Sequence, residues 1–142
     1  MWRAFCAVVL LALCCLIFRA ARVGMAGDYV DPISSITTQD EALYSNSAIG
    51  MALHGDWLTP KFMGRLALYK PPLLIWVSAA SARILGISRL ALRLPIAFFC
   101  SLALGLVFLF AAELGSWQTG VCAAILLASN HLWHVLGTAV MT

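Results

Sequence analysis

Charged residues are scarce in this sequence. Lys, Arg, Asp and Glu make up 11% of the 142 residues, against about 25% in an ordinary globular domain. Hydrophobic residues make up 63%, where about 45–50% is usual. The nine basic residues form no run, so the net charge of +3 indicates contact with lipid headgroups and argues against nucleic-acid binding. This composition predicts a protein whose main solvent is lipid.

Familiar motifs of soluble catalytic and metal sites are also missing. The sequence has no Gly-rich phosphate loop, no serine-hydrolase elbow, no internal repeat and no low-complexity tract. Its cysteines lie in apolar stretches without CxxC spacing, which predicts small buried hydrophobes and not a disulfide framework or a zinc site. They are Cys6, Cys14, Cys15, Cys100 and Cys122. His131 and His134 have no carboxylate beside them, so we expect a hydrogen-bonding or headgroup role and no metal.

Apolar runs predict an all-α fold of polytopic membrane helices, with three or four apolar segments. The first run, Ala4 to Phe18, predicts a transmembrane helix within residues 1–24. A secretory signal peptide is its rival, because a basic start and a short apolar run suit both. The retained anchor is favoured because later segments are membrane-embedded too. Two of these, residues 91–113 and 114–142, are each expected to be a transmembrane helix.

Residues 25–70 form the long polar segment of the chain, and we expect an external, periplasmic loop with interfacial helices. Thr38 and Glu41 have the Thr-x-x-Glu spacing of a capping box. The box predicts a helix running from Thr38 to about His54 and ended by Gly55. Asp56, which follows, is expected to form a turn.

A proline pair opens the next segment, residues 71–90. Pro71-Pro72 suits the start of a helix, which we expect over Leu73 to Leu85. Two placements of this helix are open: a short membrane crossing, or an interfacial or re-entrant helix. By the positive-inside rule three arginines favour a cytoplasmic loop after it, and therefore the crossing. They are Arg83, Arg89 and Arg93.

An ordered set of short motifs lies between residues 40 and 95. In chain order they are Asp40-Glu41-Ala42-Leu43-Tyr44, Gly55-Asp56-Trp57-Leu58-Thr59-Pro60, Lys70-Pro71-Pro72-Leu73 with Trp76, Gly86-Ile87-Ser88 and Arg93-Leu94-Pro95. Each is common alone. Together they resemble the amino-terminal part of bacterial polytopic glycosyltransferases of the protein-mannosyltransferase and aminoarabinose-transferase type. The resemblance covers most of the chain from Asp28 onward, and the first apolar run fits the family's first transmembrane helix.

The resemblance implies an enzyme that moves a sugar, with inversion, from a polyprenyl-phosphate carrier to a lipid or protein acceptor. The expected location is the periplasmic face of the bacterial cytoplasmic (inner) membrane, in a multi-pass protein. The partners implied are the polyprenyl-phosphate-linked sugar, the acceptor and membrane lipids, with no nucleic acid. No cofactor is implied, because the lipid-linked sugar is a substrate; dependence on a divalent metal stays open.

The resemblance also implies catalytic and substrate-binding roles for particular residues. Asp40 stands where the family has an acidic residue at the reaction centre, and a carboxylate there takes or orients the acceptor's proton. Lys70 matches a lysine beside the carrier phosphate, where an ammonium offsets developing charge. Tyr44, one helical turn after Asp40, and Glu41 are the other candidate substrate-binding residues. The alternatives are a helix-capping role for Asp40 and an interfacial charge for Lys70.

Two departures from the family pattern limit the prediction. Many relatives carry an acidic residue, linked to metal binding, directly before Lys-Pro-Pro, but Tyr69 stands here, so we predict no metal at that position. Relatives also carry a further acidic residue shortly after the stretch matching Val121 to Thr142. The chain stops before it, so we expect a fragment without a complete active site. The alternative is a small non-catalytic membrane protein with a lipid- or partner-binding external loop.

The family pattern also bears on the path through the membrane. If both acidic positions face the same side, only two crossings separate them, which we expect at Leu94 to Ala112 and Val121 to Val140. Leu73 to Leu85 would then belong to the external loop. This placement is preferred, because the segment is short and holds Arg83, which is costly in mid-bilayer.

Overall fold

The computed structural model describes residues 2–22, 39–62, 65–66 and 72–140. Within these ranges the all-α prediction is confirmed. The helices are α1 Trp2–Arg22, α2 Gln39–His54, α3 Leu73–Leu85, α4 Arg89–Leu114, α5 Trp117–Ala128 and α6 His131–Leu136. Two-residue strands β1 Lys61–Phe62 and β2 Arg65–Leu66 pair antiparallel after α2.

Helices α1 and α4 are each long and apolar enough to cross a membrane. Their 21 and 26 residues extend about 30 Å and 39 Å at 1.5 Å per residue, and the hydrocarbon core is about 30 Å thick. They run antiparallel, since Ala20 lies beside Arg93 while Phe5 and Val9 lie beside Gly105. The two helices therefore form a hairpin-like pair, with the end of α1 next to the start of α4.

The segment expected to be one helix over residues 114–142 contains two helices within its described part. Helix α5 has 12 residues, α6 has six, and Ser129 and Asn130 separate them. Asn130 caps α6, because its Oδ1 accepts a hydrogen bond from the backbone N–H of Leu132 at 2.8 Å. The hydrophobicity of the sequence does not indicate this break, because apolar residues continue on both sides of it.

From α4 the chain turns back along the hairpin. A Cβ on Gly120 would lie 2.7 Å from the carbonyl oxygen of Phe108, so glycine permits the close contact of α5 with α4. Further along, Gly137 packs on the side chain of Leu16. The path through α5 and α6 thus returns to the end of the molecule where α1 ends and α4 begins.

Helices α2 and α3 cover that same end. As predicted, α2 ends at His54, followed by Gly55 with a φ of +73° and its N–H bonded to the Met51 carbonyl at 2.9 Å. The predicted helix from Leu73 to Leu85 is confirmed. Its 13 residues extend about 20 Å, well short of a hydrocarbon core of about 30 Å.

A buried cluster joins α2, α3 and the first turns of α4. Small side chains make up much of it on α2 and α3. Its members are Tyr44, Ala48, Met51, Ile75, Ala79, Ala82, Leu92, Ile96 and Val140. Ser78 adds a polar contact, because its hydroxyl donates to the carbonyl of Leu92 at 3.1 Å. Helices α2 and α3 are therefore packed on each other and on the start of α4.

Replacing Gly105 tests the packing of α1 on α4. A Cβ at Gly105 would overlap Phe5 and Val9, whereas a Cβ at Gly50 in α2 would meet nothing within 4 Å. We expect Gly105→Ala to lower the free energy of unfolding by about 1–3 kcal/mol. Gly50→Ala, the matched control, should be neutral or raise it by about 0.4–1 kcal/mol. Unfolding of the purified protein in detergent measures both; equal effects would contradict the packing described.

Candidate functional site

The most buried charges in the described residues belong to an ion pair between α2 and α4. Glu41 is the third residue of α2 and Arg93 the fifth of α4. Arg93 Nε donates to Glu41 Oε1 at 2.7 Å and Arg93 Nη2 donates to Oε2 at 2.9 Å. Only 1% of the Arg93 side chain and 2% of the Glu41 side chain are exposed. This is the two-pronged geometry in which a guanidinium binds a carboxylate most strongly.

Two backbone groups also bind the pair. Arg93 Nη1 donates to the carbonyl of Ala20 near the end of α1, at 3.4 Å. The backbone N–H of Val140 donates to Glu41 Oε1 at 3.2 Å. Four segments distant in sequence therefore meet at one carboxylate and one guanidinium. Such surroundings satisfy charges that would otherwise be expensive to bury.

The predicted catalytic residue, Asp40, lies in α2 directly before Glu41. Its side chain lies outside the described residues, as do Lys70 and the expected cap residue Thr38. The roles of Asp40 and Lys70 remain predictions. The predicted capping role of Glu41 involves Thr38 and stays a prediction. The Glu41 carboxylate also forms an ion pair, because Arg93 donates hydrogen bonds to both of its oxygens.

Tyr44 lies one turn beyond Glu41 and is 1% exposed. Its ring belongs to the buried cluster that also contains Ile75 and Val140. The structure therefore places two of the four predicted site residues, Glu41 and Tyr44, on the buried side of α2. Their direct contact with substrate remains a prediction.

The turn after α2 is held by Asp56, as predicted. Its carboxylate accepts hydrogen bonds from the hydroxyl and the backbone N–H of Thr59 and pairs with Lys61 Nζ at 2.9 Å. The hydrogen bonds from Thr59 and Lys61 lower the pKa of Asp56 to about 2. The next residue, Trp57, accepts a hydrogen bond at its carbonyl from Trp76 Nε1 at 2.6 Å. This hydrogen bond joins the turn after α2 to α3, and its two tryptophans belong to separate motifs of the ordered set.

The described residues offer no group of three His, Cys, Asp or Glu side chains that could hold a metal ion. His131 is exposed, and the ring of the partly buried His134 packs edge-on against Trp133 with centroids 5.0 Å apart.

Arg93 is the site residue whose role the sequence reasoning missed. The positive-inside rule treats Arg93 as one of three arginines of a cytoplasmic loop, but its side chain is buried and paired with Glu41. A signal was present: an arginine at the start of a long apolar helix needs a partner, and the whole chain has six carboxylate side chains. Glu41 is one of these, and it lies in a motif of the same ordered set.

The apolar helix pair, with α2 and α3 packed across one end of it, defines an all-α membrane protein. The family model for dolichyl-phosphate-mannose-protein mannosyltransferase matches residues 33–142. The chain belongs to this family, whose members are membrane glycosyltransferases that use lipid-linked sugars. The prediction drawn from the ordered motifs is thereby confirmed.

Curated relatives agree with the family. The chain is 30% identical over 115 residues to undecaprenyl phosphate-alpha-4-amino-4-deoxy-L-arabinose arabinosyl transferase 2 of Sodalis glossinidius, covering 78% of this chain and 20% of that protein. It is 29% identical over 106 residues to a Pseudomonas paraeruginosa protein with the same name apart from the final number, covering 71% and 19%. An uncharacterized protein of Aquifex aeolicus is 28% identical over 101 residues, covering 70% and 20%. No solved structure matches significantly. The chain thus spans about a fifth of the length of these relatives.

Proposed function

We propose that this chain forms part of an inverting glycosyltransferase of the bacterial inner membrane. The enzyme moves a sugar from a polyprenyl-phosphate carrier to a lipid or protein acceptor on the periplasmic face. Family membership over residues 33–142 carries this proposal. Relatives named undecaprenyl-phosphate aminoarabinose transferases support a polyprenyl carrier as the donor. Activity is proposed for the longer protein, because the chain covers about a fifth of those relatives.

In the proposed reaction the acceptor attacks the anomeric carbon from the face opposite the phosphate. The bond from that carbon to the phosphate oxygen breaks, and its electron pair leaves with the carrier phosphate. Asp40, in the first turn of α2, takes the acceptor's proton as the new bond forms. Lys70 offsets the charge that develops on the phosphate. Tyr44 is the further proposed substrate-binding residue, whereas both carboxylate oxygens of Glu41, also predicted to bind substrate, are bound by Arg93.

We propose a topology in which residues 25–90 lie on one side of the membrane. The contacts of Ala20 with Arg93 and of Val140 with Glu41 support it, because they bring the end of α1, the start of α4 and residue 140 to the same level. The chain then crosses at residues 1–24 and 91–113 and returns within 114–142. Arg93 no longer counts as a free loop charge, since it is buried and paired. Helix α3, within residues 71–90, is then interfacial or re-entrant.

Cysteine labelling tests this topology. In a background whose five native cysteines are replaced by alanine, single cysteines replace three exposed residues: His54, Arg83 and Gln118. We expect a membrane-impermeant maleimide added from the periplasmic side to label positions 54 and 83. Position 118, in the first turn of α5, should be labelled only after the membrane is permeabilised. Labelling of position 83 from the cytoplasmic side alone would mean that α3 crosses.

An activity assay tests the role of Asp40. We expect Asp40→Asn to lower sugar transfer about 10²–10⁴-fold, because the amide cannot accept the proton. The assay uses labelled polyprenyl-linked donors in membranes that contain the longest reading frame that includes this chain. The matched control is Asp56→Asn, whose carboxylate serves the turn after α2, and it should retain activity.

Two results would contradict the proposal in different ways. Full activity of Asp40→Asn at unchanged protein level would move Asp40 to the helix-capping role. Absence of transfer by the unsubstituted protein from any polyprenyl-linked donor would favour the non-catalytic alternative, a lipid- or partner-binding external loop.

A further inference from the structure

We propose that Glu41 and Arg93 are positioning residues that set the place of Asp40 at the reaction centre. This inference rests on the proposed function, because it takes Asp40 as the catalytic carboxylate. Neither residue needs to touch the substrate in this role; each acts through the backbone of α2.

The location of Asp40 creates the need for such a restraint. It is the second residue of α2, and the ends of helices fray more easily than their middles. A catalytic group must be held within about 0.5 Å and 10–20° of its working geometry. The first turn of α2 therefore needs a fixed point close to residue 40.

Glu41 supplies that fixed point. It follows Asp40 directly, and adjacent helical residues are related by a rise of about 1.5 Å and a rotation of about 100°. Both oxygens of its buried carboxylate are bound by Arg93, at 2.7 and 2.9 Å. A two-pronged contact restricts rotation of α2 about its axis as well as sliding along it, whereas a single hydrogen bond restricts less. Holding Glu41 thus holds the backbone of Asp40.

The rest of the α2 surface gives a weaker restraint. The residues that α2 and α3 bury combine large apolar side chains, Tyr44, Met51 and Ile75, with small ones. Apolar contact is not directional, so it fixes the rotation of α2 less sharply than a two-pronged ion pair does. The ion pair instead selects one register and one rotation.

Arg93 is itself held by the transmembrane part of the molecule. It lies in α4, and its Nη1 donates to the carbonyl of Ala20 in α1. The chain Ala20, Arg93, Glu41 therefore connects both long helices to the residue beside Asp40. Apolar residues of similar volume often replace a buried ion pair without loss of stability. A role in orientation explains why charges occupy this place.

Steady-state kinetics of Arg93→Lys test the proposal in the longest reading frame that contains this chain. Lysine keeps the positive charge but cannot donate the two parallel hydrogen bonds that a guanidinium donates to a carboxylate. We expect kcat to fall at least about 10-fold, with KM for the polyprenyl-linked donor changed less than about twofold. The control is Gly105→Ala, which disturbs the contact of α1 with α4 away from α2. Its kcat per folded molecule should match the unsubstituted protein.

A second variant and a second readout guard against misfolding. If Arg93→Lys fails to accumulate, the double variant Glu41→Gln with Arg93→Gln, which buries no charge, takes its place with the same expected loss of kcat. Independently of activity, we measure the maleimide reaction rate of a single cysteine at position 40. We expect the Arg93 substitution to change that rate at least about fivefold, while Gly105→Ala leaves it unchanged.

Three results would overturn the proposal. One is a loss of activity that follows only the amount of folded protein, as in the control. Another is a raised KM with unchanged kcat, which would assign Glu41 to direct substrate contact. The third is an unchanged reaction rate at position 40. Full activity of Asp40→Asn would instead sink the proposed function, and the cysteine rate would still show whether the pair sets the position of residue 40.

Discussion

The carboxylate of Glu41 and the guanidinium of Arg93 form a buried, two-pronged contact between helices that are far apart in the sequence. It joins α2 to α4, and through the Ala20 carbonyl and the Val140 N–H it also reaches α1 and the segment after α6. Two charges in such a place are costly unless each finds its counterpart. Every one of these segments must therefore be in position before the pair is satisfied.

This constraint organises the molecule around one end of the helix pair. There α2 and α3 pack over the start of α4, and their small side chains allow close approach. Away from this end of the helix pair, glycines allow the close approach: Gly105 faces the Phe5 ring and Gly120 faces the Phe108 carbonyl. Apolar contact dominates both regions, and α2 and α3 add the Glu41 to Arg93 pair and the hydrogen bond from Ser78 to the Leu92 carbonyl.

Much of this architecture was predictable from the sequence, because composition and local signals decide it. The end of α2 at Gly55 and the span of α3 after the proline pair follow from backbone preferences of glycine and proline, so both predictions are confirmed. The break at Ser129 and Asn130 was missed, since a cap within an apolar stretch gives little signal in hydrophobicity. The Glu41 to Arg93 pair was missed because it joins residues 52 positions apart: an arginine at the start of an apolar helix indicates that a partner exists but does not say which carboxylate it is.

A double-mutant cycle tests whether the Glu41 to Arg93 pair holds these four segments together. Unfolding free energies are measured in detergent for Glu41→Gln, Arg93→Gln and the double variant. Each single change should cost about 3–5 kcal/mol, because one buried charge loses its partner, and the double variant should cost clearly less than the sum of the two. Single costs below about 1 kcal/mol that add without coupling would show that the pair does not hold the four segments together, and would contradict the account.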